Sequence, residues 1–329
     1  MKKNSVNTVT GPISPDDLGI TLMHEHIIFG YPGWYGDSTM APFDREAAVS
    51  AGLKTMEEIK SYGVASFVDA TPNETGRDVM LLKEVSEKSG VNIICSTGFY
   101  FEGMGASPYF KFRSVVSDAV EEIHDMFMTE ITRGIGKTGI KAGAIKLASG
   151  KDVITDYERM FFTAAARAQK ETGVPIITHT QGGSMGPEQA KLLIEEGADP
   201  AQVMIGHMSD NVDVHYHMEV LKQGVYDSFD RMGIQVVEDC PMDIEKYAVI
   251  IGLIGTGHLD RIIISHDTIA YWLGRPNPEL PEAYRPLLEN YHITHVFKNI
   301  LPFFKKAGIT DEQVNTIMSE NPRRLFAGG

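Results

Sequence analysis

The chain has 329 residues, 43% of them hydrophobic and 22% charged, which suits one large α/β barrel or two ordinary globular domains. A formal net charge of −14 argues against nucleic acid or an anionic membrane as the main partner. Cys95 and Cys240, its two cysteines, form no C-x-x-C pair, and no apolar run approaches the ~18 residues that span a bilayer, so neither a disulfide framework, a thiolate zinc site nor a membrane anchor is expected. The start carries two lysines with no apolar stretch behind them, unlike a secretory signal, and a cytoplasmic protein is expected.

Residues 20–26 open the pattern as a strand ending in Met23-His24-Glu25-His26. Side chains alternate along a strand, so His24 and His26 share a face and Glu25 takes the other, in a structural role. A helix follows over 44–62, with Asp44 as its cap, then a strand over 64–69 and a helix over 77–89 stopped by Gly90. The third strand is 91–96, followed by a Gly- and aromatic-rich loop at 98–111 and a helix to about 133.

The rhythm repeats in the second half. Strands are predicted at 143–147, 174–179, 203–207, 225–230 and 261–267. Helices are predicted at 156–172, 187–196, up to 223, and at 244–254. A long loop, 268–286, precedes terminal helices after about 289. Eight strand–helix units make the count of a (β/α)8 TIM barrel, an α/β fold in a single domain. The alternative is an open doubly wound sheet, but no G-x-G-x-x-G follows the first strand and no phosphate loop occurs.

Barrels of this type place their chemistry at the C-terminal ends of the strands. Those ends hold His24 and His26, Lys146, His179, His207, and His266-Asp267. Four of these histidines (His24, His26, His179 and His207) with Lys146 and Asp267 on one rim can hold two metal ions, though nitrogen and oxygen donors do not select among zinc, cobalt, manganese and iron. Lys146 lies in the apolar run Ala144-Ile145-Lys146-Leu147-Ala148. Buried there it must lose its charge or find a partner. A salt bridge or a carbamate bridging two cations would each satisfy it, and both readings stay open at this point.

These segments carry a resemblance. Thr21-Leu22-Met23-His24-Glu25-His26, Gly139-Ile140-Lys141-Ala142-Gly143 with Lys146, Val174-Pro175-Ile176-Ile177-Thr178-His179-Thr180, Ile205-Gly206-His207 with Asp210, Phe229-Asp230-Arg231, Ser265-His266-Asp267 and Asn321-Pro322-Arg323-Arg324-Leu325-Phe326 run in order over nearly the whole chain. In them the chain resembles the phosphotriesterase family of the amidohydrolase superfamily. The resemblance implies a binuclear centre, most simply of zinc, with His24, His26 and Asp267 on one ion and His179 and His207 on the other. Carboxylated Lys146 would bridge them. It implies a hydrolase in which a metal-bridging hydroxide attacks a lactone carbonyl, Asp267 takes the proton, and Asp210 with Arg231 relays it outward.

The same resemblance bears on the substrate. Organophosphate hydrolases of the family carry Trp where Tyr100 stands and His where Arg231 stands, whereas the lactonase-like branch carries Tyr and Arg. Both positions point to lactones, with promiscuous hydrolysis of organophosphate esters. A phosphorylated sugar-lactone hydrolase is the alternative, with Arg275 as a candidate anion ligand, as is a primary phosphotriesterase. A barrel that keeps the metals but serves only for binding is a third. The aromatic stretch Tyr31-Pro32-Gly33-Trp34-Tyr35 is expected to line the pocket or form a homodimer contact.

Overall fold

The structure, a computed structural model, describes residues 5–105, 107–235, 240–276, 282 and 285–328. A short antiparallel hairpin, β1 (Val6–Thr8) and β2 (Gly11–Ile13), comes first. Then β3 (Ile20–Phe29), α1 (Arg45–Lys60), β4 (Val64–Asp69), α2 (Val79–Ser89), β5 (Asn92–Gly98), α3 (Pro108–Val116) and α4 (Ala119–Thr132) alternate. They are followed by β6 (Ala144–Lys146), α5 (Asp156–Thr172), β7 (Ile176–Ile177), α6 (Gly186–Glu195), β8 (Val203–Ile205), α7 (Val214–Leu221), β9 (Tyr226–Phe229), α8 (Asp243–Gly255), β10 (Ile262–Ile264) and β11 (Ile269–Trp272). The chain ends in α9 (Arg285–Leu288), α10 (Leu301–Lys306), α11 (Asp311–Asn315) and α12 (Asn321–Ala327).

Local chemistry sets the helix ends. Asp44 accepts from the Ala47 N–H at the start of α1, and Asp78 from Met80 and Leu81 at the start of α2. Thr155 and Glu158 satisfy each other's backbone in a capping box on α5. Gly90 and Gly173 close α2 and α5 in the left-handed region.

The strands pair in parallel in the order β10-β9-β8-β7-β6-β5-β4-β3-β11. β10 and β11 are two halves of one interrupted eighth strand. Between them the Asp267 N–H donates to His24 O (3.1 Å) and the His26 N–H to Thr268 O (2.8 Å), and Ile269 pairs with His26. This seam closes the barrel. Its interior is one layer of buried side chains, Met23, Val68, Ile94, Ala144, Ile177, Met204, Tyr226 and Ile263, one from each strand. Val6 from the hairpin and Leu325 and Phe326 from α12 join that layer. Asn321 fastens α12 by donating to Leu259 O and Ile262 O, both at 2.8 Å. A second, larger apolar layer lies between the outer faces of the strands and the helices.

Several elements differ from the sequence reading. The N-terminal hairpin was not foreseen, because its strands are too short to show a period. The expected loop at 98–111 contains the start of α3, which Pro108 opens. The single helix expected up to 133 is two, split at Ser117, with Asp118 capping the second. The eighth strand breaks after Ile264 and resumes inside the expected loop, since Asp267 takes a left-handed φ of 57°. Parts of the loop at 268–286 and of the segment at 232–243 lie outside the described residues.

Gly206 shows how tightly the rim is built. A Cβ there would lie 2.1 Å from Thr178 O and 3.1 Å from the Asp230 carboxylate. Gly206→Ala is therefore expected to cost about 1–3 kcal/mol, the usual range for overpacking, read as a lower urea midpoint.

Candidate metal centre

Period-two alternation carries the interior layer up into the site. Two residues beyond Ala144 and Ile177 come Lys146 and His179, on the same inward face. At two other strands the alternation is broken. β3 pairs Leu22 with Phe67 and then Glu25 with Asp69, so β3 advances three residues while β4 advances two. That bulge lets Met23 fill the barrel while its neighbour His24 also reaches the rim. His207 reaches it through a left-handed φ of 58°.

Asp230, fully buried, holds two of the histidines. Its Oδ1 accepts from the His207 backbone N–H (2.7 Å) and faces His207 Nδ1 (2.8 Å). Its Oδ2 faces His24 Nδ1 (2.7 Å) and accepts from Ser228 Oγ (3.0 Å). Both rings thus carry their proton on Nδ1 and turn the Nε2 lone pair to the cavity. Burial would raise the Asp230 carboxyl, but His24 and Lys146 beside it bring it below the usual carboxylate range. Thr71 does the same for His26: its hydroxyl donates to Ile28 O (3.0 Å) and so accepts from Nδ1 (2.8 Å). His179 is oriented through the opposite nitrogen, with Nε2 on Gln181 Oε1 (2.8 Å), which leaves Nδ1.

Around this frame the candidate groups converge. His26 Nε2 lies 3.1 Å from Asp267 Oδ1, His24 Nε2 3.8 Å from the same oxygen, and His207 Nε2 3.7 Å from Oδ2. Donor atoms of His24, His207 and Asp267 all fall within 4.8 Å of one another. Lys146 Nζ donates to His24 Nε2 (2.7 Å) and reaches Thr178 O at 3.4 Å. Burial lowers the His24, His179 and His207 pKa values, helped by Lys146 at His24 and by Arg231 at the other two, so these rings are neutral near pH 7. Burial also pushes the Lys146 ammonium down to about 8. About a tenth of it is then neutral at pH 7.

This donor set fits a cation. His26, whose Nδ1 is taken up by Thr71, faces an Asp267 oxygen with Nε2 only 3.1 Å away. Two acceptors so placed repel unless a proton or a cation sits between them. Asp267 stays ionised: burial opposes this, but His207, His26, His24 and Arg231 hold its carboxyl well below the usual range.

Arg231 spans the rim. Its Nε donates to Asp267 Oδ2 (3.0 Å) and a terminal nitrogen to Asp210 Oδ2 (2.8 Å). Asp210 lies behind Arg231 and does not line the cavity. Tyr100 does, its ring 5.0 Å from that of His179. Beneath it the Tyr100 backbone N–H donates to Glu74 Oε1 (2.5 Å). The cavity above the cluster holds about 680 Å³ and is walled largely by Phe29, Tyr31, Trp34, Trp272, Leu273 and Leu288. Arg275, at its mouth, is engaged with Asp37 through two hydrogen bonds (2.5 and 3.0 Å).

All six expected metal-ligating residues, together with Tyr100 and Arg231, line this one cavity. Sequence reading missed the groups that aim them. Asp230 lay within a segment read only for Arg231, yet it stands two residues beyond inward-facing Ser228, a signal that was available. Thr71 and Gln181 gave none.

The phosphotriesterase family model matches residues 4–326. The organophosphorus hydrolase of Deinococcus radiodurans has a solved structure that matches with a TM-score of 0.97 at 52% identity, covering 99% of this chain and 97% of that one. A mutant of a Deinococcus radiodurans PTE-like lactonase matches with a TM-score of 0.96 at 52% identity, covering 98% and 99%. The aryldialkylphosphatase of Saccharolobus solfataricus is 33% identical over 327 residues, 96% of this chain and 97% of that protein.

Two outcomes are expected from this geometry. Asp230→Asn places an amide against two Nδ1–H groups, and metal affinity should fall about 10–100-fold in a zinc titration of the folded protein. The second concerns Glu74, whose Oε2 is buried without a partner and whose carboxyl burial pushes up to about 7. The folded chain keeps this proton to about pH 7, whereas the unfolded chain releases it near the ordinary 4.5. The ionised group therefore destabilises the fold fully above pH 7, and the penalty fades as pH falls to 4.5. Glu74→Gln should stabilise by up to about 3 kcal/mol at pH 8 and lose most of that gain by pH 5, measured by urea unfolding at both.

Proposed function

The chain belongs to the phosphotriesterase family of binuclear metal hydrolases, and we propose that it is a lactonase with side activity on organophosphate esters. The observation that carries this reading is the pair Tyr100 and Arg231 on one rim, the first against His179 and the second on Asp267. A mainly apolar cavity suits a lactone with little charge. The phosphorylated-sugar reading is less favoured, since the Arg275 guanidinium is taken up by Asp37.

His24, His26 and Asp267 would hold one metal ion and His179, through Nδ1, with His207 the other. Lys146 would bridge them once its neutral amine has added CO₂. Two such ions, when bound, lower the pKa of a shared water and polarise the scissile carbonyl. Zinc is the simplest choice for this donor set, with cobalt, manganese or iron as substitutes. Asp267 takes the proton of the attacking water and returns it to the ring oxygen that leaves as the lactone opens. Tyr100 orients the lactone from above His179. Arg231 cannot pass a proton on, because Asp210 and Asp267 beside it hold its guanidinium charged against the cost of burial. The expected relay is therefore replaced by a clamp: Asp210 fixes Arg231, and Arg231 fixes Asp267.

The rest of the reading concerns the whole chain. It is one catalytic unit, and a homodimer is supported by exposed apolar side chains on the loop after β3 (Tyr35, Met40) and on α3 (Tyr109, Phe112, Val115). A Cβ on Gly105 would meet Pro32 at 2.5 Å, so the two loops touch. Cytoplasmic residence is supported by two buried free thiols. Among the described residues no helix is long and apolar enough to cross a membrane. The net charge speaks against nucleic acid.

Protein loaded with two equivalents of zinc or cobalt is expected to hydrolyse a panel of small lactones faster than aryl phosphotriesters. Full metal with no turnover of any lactone, ester or triester would overturn the reading. Lys146→Ala should lose at least about tenfold in metal affinity, and most of the activity with it; a variant that keeps both excludes the bridging carbamate.

A further inference from the structure

Asp267 is one of four non-glycine residues with a left-handed φ among the described residues. At 57° it turns the chain out of the ladder, and the eighth strand is interrupted between Ile264 and Ile269. A carbonyl stranded at a buried kink needs a donor from elsewhere. The Asp267 carbonyl has one in the Tyr291 hydroxyl, 2.9 Å away. Tyr291 comes from 24 residues further along the chain and lines the same cavity. The opposite side of the kink is already tied down. The Asp267 N–H donates to His24 O, and Thr268 donates to Glu25 through both its N–H and its hydroxyl. Tyr291 fastens the Asp267 main chain from outside the seam, as Arg231 does its side chain.

Resting on the reading that Asp267 is a metal ligand and proton acceptor, we propose that Tyr291 is a positioning residue for it. Its hydroxyl holds the Asp267 main chain at the angle that aims the carboxylate between His26 and Arg231. Contact with the substrate is not its task. Removing the hydroxyl alone frees the carbonyl and lets the kink relax, while the ring keeps its place in the wall.

The test is Tyr291→Phe, compared with wild type in the metal-loaded protein. kcat on a small lactone should fall about tenfold or more with KM within about twofold. Without substrate, the variant should release zinc to a chelator faster by a similar factor. Combined with Asp267→Asn, Tyr291→Phe should add no further change in zinc release, as expected when one residue acts through the other. Unchanged kcat and zinc release overturn the proposal. So does a loss confined to KM, which would place the hydroxyl on the substrate, and so does an additive effect in the Asp267→Asn background. A collapse of the melting transition in Tyr291→Phe also overturns it, in favour of a plain structural role. A wild-type protein that holds no zinc or turns over no lactone defeats the functional reading itself, before any variant is compared.

Discussion

The carboxylate of Glu25 accepts from Ser265 Oγ, His266 N, His266 Nδ1, Thr268 N and Thr268 Oγ1, all within 2.6–2.8 Å. A parallel barrel must join its first strand to its last, and here the last strand is kinked where the ladder should run. The side chain of Glu25 supplements the two backbone bonds that still cross that gap. It lies between the strands, fully buried, while its neighbours His24 and His26 face the cavity. One side chain therefore strengthens the closure of the barrel and helps set where Asp267 stands, together with the backbone bonds of the seam and the grips of Tyr291 and Arg231.

The rim is a place of opposed charges in a dry setting. Asp267, Asp230 and Asp210 are all held by burial-resistant partners: histidines for the first two, Arg231 for the third. Buried ion pairs of this kind contribute little net stability, since desolvation offsets their attraction. Their value is geometric. Each carboxylate has two oxygens in use, so each histidine and the guanidinium have one angle open to them. The lone pairs that remain unsatisfied are those pointing at the cavity, and that is where a cation is needed.

Much of this was readable from one sequence. Strand ends gave the rim residues, because alternation and β-branched runs are local properties that tertiary packing here left intact. Lys146 and His179 follow the period faithfully. What stayed hidden depends on partners distant in the chain. The bulge at Met23-His24 exists only in relation to β4. The left-handed turns at His207 and Asp267 leave no mark in composition, since aspartate and histidine are as ordinary in extended chain. Thr71 and Gln181 were hidden for another reason: groups that orient a ligand look, in sequence, like any polar residue just past a strand. The relay expected of Asp210 and Arg231 rested on motif position alone, and the two carboxylates that flank the guanidinium show only in the fold.

The stopper at the base of the barrel has a consequence for how the molecule folds. Val6 on one side and Leu325 and Phe326 on the other complete the same interior layer, although about 320 positions separate them in sequence. The floor is therefore closed by a contact of very high sequence separation, whose ordering cost must be met before burial rewards it. Until that contact forms, the central layer is open to water from below, so drying of the barrel interior belongs to the slow, non-local part of folding.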